Sequence, residues 1–337
     1  GIKGKNIMDK KQILLEKLAK LAVEVGVNVQ KDQVVVVNSP LHAAPLTRLI
    51  QKEAYLRGAK MVYVEWSDSE ITKNYYTYAS DETLQEITSF QYDKLKYMVD
   101  NNACRISIDS RIPNAMAGVD MKRVMMANRV VGPKLSFVSN HYSSSKSQWT
   151  IVAYPNDEWC KTVFPNLETS EAWDKLYDAI MYASRVDLES DPTQNWKEHT
   201  DKLAEHSKVL NDYNFKTLHF KNSLGTDLEI GLVENHIWAG GGEMGGNGVY
   251  FVPNIPTEEV FTMPHKDKVN GKVVATKPLS YQGVLIEDFY FVFKDGKVID
   301  FNAKQGYDAL KSLVELDEGS SRLGEVALIG KNSPIAK

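Results

Sequence analysis

Apolar residues in the first half of the chain alternate between two spacings. From Lys11 to Val25, residues Ile13, Leu14, Leu18, Leu21, Ala22 and Val25 recur at helical spacing, and Gly26 supplies a stop. Gln33 to Asn38 carries four consecutive valines, the composition of a strand buried on both faces. Pro45 to Leu56 returns to helical spacing before Gly58, and Met61 to Trp66 is again a short apolar strand. A strand–helix–strand unit of this length predicts a right-handed parallel crossover. The alternation continues with helix over 81–99, strand over Cys104–Ile108, helix over Met116–Asn128, strand over Trp149–Ala153 and helix over 157–184. The prediction is an α/β N-terminal domain with an open, mostly parallel sheet and helices on both faces.

The pattern changes at Asp187–Gln194 (D-L-E-S-D-P-T-Q), a polar stretch containing Pro192. It predicts a domain boundary, with one domain over 8–186 and a second over 194–337. One more helix, Trp196–Leu210, precedes a switch to a period of two. Strands are predicted at Thr217–Phe220, Leu228–Leu232, Val249–Val252, Val260–Thr262, Lys272–Thr276, Val284–Phe293 and Lys297–Asn302. The last two are joined by Lys294-Asp295-Gly296, whose Asp-Gly pair favours a tight hairpin. A helix over Tyr307–Leu316 and a strand at Glu325 follow, so the C-terminal domain is expected to be α+β and β-rich.

Composition narrows the function classes. The length of 337 residues suits two domains, and 43% hydrophobic with 25% charged residues is ordinary for a globular protein. A net charge of −4 predicts no nucleic-acid partner, which would need a basic surface. No apolar run approaches the roughly 20 residues of a membrane span. No secretory pattern precedes Met8, and Cys104 and Cys160 lie far apart, which together point to reduced thiols and a cytoplasmic protein. The leading G-I-K-G-K-N-I is read as a cloning remnant and set aside from the fold prediction.

Few local motifs carry chemistry. Gly240–Gly245 (G-G-G-E-M-G) matches G-x-G-x-x-G, but a strand-like run follows where the dinucleotide fingerprint needs a helix. No histidine pair has metal-site spacing; His236, close to the glycines, is the best histidine for lining a site, and His42 could sit in a cleft at strand ends. Asn38-Ser39-Pro40-Leu41 follows a buried strand, where open α/β sheets tend to bind ligands. No G-x-S-x-G elbow supports a serine hydrolase. Two carboxylates stand out, Glu259 before Val260-Phe261 and Glu325 before Val326-Ala327-Leu328. A carboxylate in an apolar strand needs a positive partner, and a metal ion is one. An exposed strand residue or an edge ion pair fits the same pattern.

Four longer segments decide between these readings. N-I-P-T-E-E-V-F-T (Asn254–Thr262), P-L-S-Y-Q-G (Pro278–Gly283), F-K-D-G-K-V-I-D-F (Phe293–Phe301) and D-E-G-S-S-R-L-G-E-V-A-L (Asp317–Leu328) occur in this order. With A-V-E-V-G-V-N-V-Q near the start and A-Y-P at Ala153–Pro155, the chain resembles the aminopeptidase T/aminopeptidase S family of bacterial metalloaminopeptidases. The resemblance implies a two-domain enzyme that removes N-terminal residues from peptides, works with two divalent metal ions (zinc, cobalt or magnesium) and assembles as a homodimer. It implies that Glu259 and Glu325 are metal ligands, with Glu325 bridging the two ions, and that metal-bound water is the nucleophile. The family's later ligands, a glutamate and histidine, a tyrosine and an H-x-D pair, do not occur before the sequence stops at Lys337. No catalytic residue is therefore assigned, and weak activity of this chain alone is expected. The competing expectations are a catalytically incomplete fragment acting as a binding or assembly module, and a nucleotide-binding α/β protein using the Asn38 region.

Overall fold

In the computed structural model, residues 2–257 and 259–329 are described, with only the backbone for residues 2–8 and for Glu259. Strand β1 (Val34–Pro40) lies parallel to β2 (Met61–Ser67) on one side and to β3 (Cys104–Asp109) on the other. Beyond β3 come β4 (Trp149–Ala153) and then a short parallel strand, Asn254–Ile255, which the chain contributes long after the first four. The strand order thus reverses direction between β1 and β3. This is the switch point at which doubly wound sheets open a crevice beyond their carboxyl ends.

The consecutive valines explain why both faces of this sheet are covered. Val35 and Val37 point into a core with α1 (Ile2–Leu21) and α2 (Ala44–Leu56), built around Leu18, Leu46 and Ile50, all fully buried. Val34 and Val36 point the opposite way. Between β2 and β3 the chain forms α3 (Ser69–Tyr78), α4 (Asp81–Leu84) and α5 (Ser89–Asp100), and Met98 of α5 packs on that second face. The single helix expected over 81–99 is therefore two. The Thr88 hydroxyl accepts from Gln91 N and the Gln91 side chain accepts from Thr88 N, a reciprocal cap that starts a new helix. The next helix, α6 (Met121–Ser143), starts at the Asp120 cap and runs well past the expected end at Asn128, accommodating Pro133 in its interior. The region 157–184 is α7 (Asp157–Val163) and α8 (Thr169–Ala183), interrupted around Pro165. Residues 2–7, set aside as a remnant, continue α1 as helix.

Helix α9 (Pro192–Tyr213) is capped by the Asp191 carboxylate on Thr193 N and ends at Asn214 in the left-handed region. The β-rich part follows. In chain order its strands are β5 (Thr217–Lys221), β6 (Asp227–Leu232), β7 (Ala239–Gly240), β8 (Glu243–Met244) and β9 (Tyr250–Phe251); the strand already noted at Asn254–Ile255 is β10. Then come β11 (Glu259–Thr262), β12 (Pro264–Val274), β13 (Leu279–Tyr281), β14 (Val284–Lys294), β15 (Lys297–Gln305), α10 (Tyr307–Val314) and β16 (Val326–Ile329). An antiparallel sheet runs β13-β14-β12-β6-β5, with β15 also on β14, and a smaller one runs β16-β11-β7. Leu228, Ile230, Val269 and Phe293 of the larger sheet share one core with Val260, Val326, Trp238 and Leu203. An α/β part with a parallel sheet followed by a β-rich α+β part is the expected fold class.

The β14–β15 hairpin turns through Asp295 (φ 49°) and Gly296 (φ 87°), the positive pair of angles that an Asp-Gly turn supplies. A Cβ on residue 296 would lie 1.6 Å from the Lys266 carbonyl oxygen. Gly296→Ala is accordingly expected to cost about 1–3 kcal/mol of stability, read as a lower urea midpoint. A midpoint equal to that of the parent would show that the hairpin yields without strain.

Candidate functional site

The carboxyl ends of β1, β2 and β3 open into a cleft of about 750 Å³, closed on its far side by Pro278–Gly283 of the β-rich part. Ser110 and Arg111, which leave β3, line it, and Ser110 belongs to a small polar cluster. His42 Nε2 lies 2.5 Å from the Ser110 hydroxyl, and Asn156 Nδ2 donates to that same hydroxyl at 3.1 Å and to Arg111 O at 2.7 Å. Burial holds the His42 imidazole below its usual pKa, opposed by the nearby carboxylates of Asp68, Asp157 and Glu158. Arg111 Nε pairs with Asp109 at 3.1 Å, but Arg111 is exposed and Asp109 only half-buried, so the pair contributes little to stability. The cleft is lined by Asp68 and by the Asp109–Arg111 pair, with the His42–Ser110–Asn156 cluster reaching it through Ser110. Of the sequence candidates Asn38–Leu41 and His42, Pro40 lines this cleft and His42 adjoins it through Ser110, whereas Asn38 lines a separate cavity; the sequence missed Ser110, Arg111 and Asn156. The available signal was positional, since each follows directly on the end of an apolar strand.

The two glutamates lie on a different sheet. Glu259 opens β11 opposite Ile329, and Thr262 at the other end of β11 pairs with Val326. Glu325 immediately precedes Val326 and is exposed. The structure therefore places Glu259 at the start of β11 and Glu325 just before its neighbour β16, at opposite ends of one short ladder. Glu259 and Thr262 are about 10 Å apart along the strand. The Glu259 side chain lies outside the described residues. Carboxylate oxygens are suitable donors for divalent ions. Among the described residues, no group of three or more His, Cys, Asp or Glu side chains is close enough to hold a metal, so these residues alone do not complete a ligand set.

The remaining sequence candidates separate cleanly. His236 sits beside Trp238 and its Nδ1 faces the Val233 carbonyl at 3.0 Å, while its buried Nε2 has no hydrogen-bond partner among the described residues. His199 is buried and packs edge-on against Trp196, whereas His206 is exposed. The glycines at 240–245 lead into the β8–β9 ribbon, with no helix after them, as the strand-like run suggested. Among the described residues no helix is long and apolar enough to cross a membrane.

A parallel sheet with helices followed by antiparallel sheets is an architecture this chain shares with a known peptidase class. The chain belongs to the M29 family, whose model (thermophilic metalloprotease, M29) matches residues 11–337. It is 42% identical to "Aminopeptidase 2" of Geobacillus stearothermophilus over 322 residues, 96% of this chain and 78% of that protein. It is 42% identical to "Aminopeptidase AmpS" of Bacillus subtilis (strain 168) over 330 residues, 98% of this chain and 80% of the relative. Among solved structures, wild-type AmpT from Thermus thermophilus is similar with a TM-score of 0.85 at 35% identity, covering 96% of this chain and 79% of that one. The resemblance read from the four segments is the family shown here.

Proposed function

We propose that this protein is a metal-dependent aminopeptidase that releases N-terminal residues from peptides. The observation that carries the reading is the 42% identity, over nearly the whole chain, to relatives named aminopeptidases. Glu259 and Glu325 are proposed as metal ligands around two divalent ions drawn from zinc, cobalt and magnesium. Such ions, when bound, activate water and polarise the scissile carbonyl. The chain's own part is to supply two carboxylates on adjacent strands and to hold the peptide. The cleft at the strand ends, of about 750 Å³, offers room for a peptide segment away from the two glutamates. A homodimer, a cytoplasmic location and division into 8–186 and 194–337 complete the proposal. The turn at Asp187, whose carboxylate accepts from Glu189 N and Ser190 N, supports the division. The expectation of weak activity finds no support in comparisons that span 96–98% of the chain, and the non-catalytic module is not favoured.

The test is direct. Release of leucine from a chromogenic leucyl amide is expected to disappear on chelation and to return when zinc, cobalt or magnesium is added back. Activity unchanged by a chelator would remove the metal from the reading. No hydrolysis with any of the three ions would remove the peptidase.

A further inference from the structure

Parallel sheets covered on both faces present apolar residues to both. One face of this sheet breaks the rule. Strand register places Arg105 beside Val36 and Glu65 beside Asn38, so these side chains share the face that also carries Val34 and Val36. Helices α5 and α6 cover that face, and between them and the strands lies a cavity of about 300 Å³. This is at the small end of the range for ligand pockets. Its walls are chiefly apolar, with Val36, Leu95, Met98 and Val138 among them.

The charges in this cavity do not balance. Lys94 Nζ pairs with Glu65 at 2.5 Å, and the two cancel. Arg105 has no carboxylate partner among the described residues; its guanidinium lies over the Tyr142 ring, 4.1 Å from the centroid. Tyr142 is held in place by its hydroxyl, which donates to Ala103 O at 2.9 Å. Burial pulls the Arg105 pKa below the usual value. Arg105 is part-buried, and a ring beneath a guanidinium carries no counter-charge, so the cavity holds one cation without an anionic partner among the described residues.

We propose that this cavity is a binding site for a small carboxylate with a branched apolar tail, its carboxylate paired with Arg105 and its tail against Leu95, Met98 and Val138. The chemistry is that of apolar acids without an amine, which bring the missing charge, and of free apolar amino acids only if their ammonium displaces Lys94 from Glu65. The site is separate from Glu259, Glu325 and the switch-point cleft, and it does not depend on the aminopeptidase reading.

Thermal unfolding of the full chain, with a chelator present so that no metal centre can bind the ligand, tests the proposal. L-leucine or 4-methylpentanoate at about a hundredfold excess over Kd is expected to raise the melting temperature by about 5 °C. Leucinamide, which lacks the carboxylate, and inorganic phosphate, which lacks the tail, are expected to produce no shift. A stronger response to leucine than to 4-methylpentanoate identifies an amino acid as the natural occupant, and the reverse identifies an amine-free acid. Arg105→Gln is expected to weaken binding about 30-fold or more. Val138→Phe, which fills the cavity and removes no charge, is expected to abolish binding even if Arg105→Gln proves unstable. The proposal is overturned if neither carboxylate shifts the melting temperature, if leucinamide or phosphate matches them, or if both variants bind as the parent does. Loss of peptidase activity has no bearing on these readouts, so the two readings fail separately.

Discussion

Glu259→Gln and Glu325→Gln are each expected to lower kcat/KM for a leucyl amide by about three orders of magnitude, the equivalent of roughly 4 kcal/mol of transition-state stabilisation lost with the metal. Glutamine keeps the shape of the side chain and removes its charge, so the change isolates the ionic donor. Folding should hardly respond at position 325, because Glu325 is exposed just before β16 and has nothing buried to lose. Glu318, exposed in the same D-E-G-S-S-R-L-G-E segment, is the control, and Glu318→Gln should retain full activity. Calorimetric titration with zinc should show weaker binding in the two variants and parental binding in the control. Parental activity with either glutamine variant would show that the glutamate concerned is a strand residue with no part in the metal centre.

What could be read from the chain follows from which forces act locally. The valine run at 34–37 announced a strand buried twice over, and alternate valines do serve two cores. Asp295-Gly296 announced its hairpin because few other dipeptides adopt those angles at low cost. The break between α4 and α5 was harder to see. Apolar spacing runs through it, and a hydroxyl cap at Thr88 decides it. The two glutamates were singled out only through resemblance, since period-two patterning gives the same trace for a ligand and for an exposed strand residue. Arg105 could not be picked out at all. Its oddity exists only once α5 and α6 lie over its face of the sheet, and no local pattern specifies that packing. The Ser110–His42–Asn156 cluster was hidden for the same reason, since three separate strand ends meet only in the folded sheet.

Trp196→Ala is expected to destabilise the protein by about 4 kcal/mol. Trp196 is fully buried on α9 and belongs to the core of the α/β sheet. Its indole Nε1 donates to Ser184 O at 2.7 Å, and its ring meets His199 edge-on, with centroids 5.3 Å apart. Truncation to alanine opens a cavity and also strands the Ser184 carbonyl. Trp196→Phe separates the two effects. It keeps most of the ring volume and loses only the donor, for which about 1–2 kcal/mol is expected. Urea midpoints of the three proteins give the comparison directly. Equal losses in both variants would assign the whole effect to the hydrogen bond, and near-parental midpoints would show that the core closes over the gap. The consequence reaches the candidate metal site, because α9 also packs against β11, the strand that begins with Glu259. Peptidase activity should therefore fall with the alanine variant at temperatures where the phenylalanine variant still works, and that difference would tie the α/β core to the carboxylate-bearing sheet through one helix.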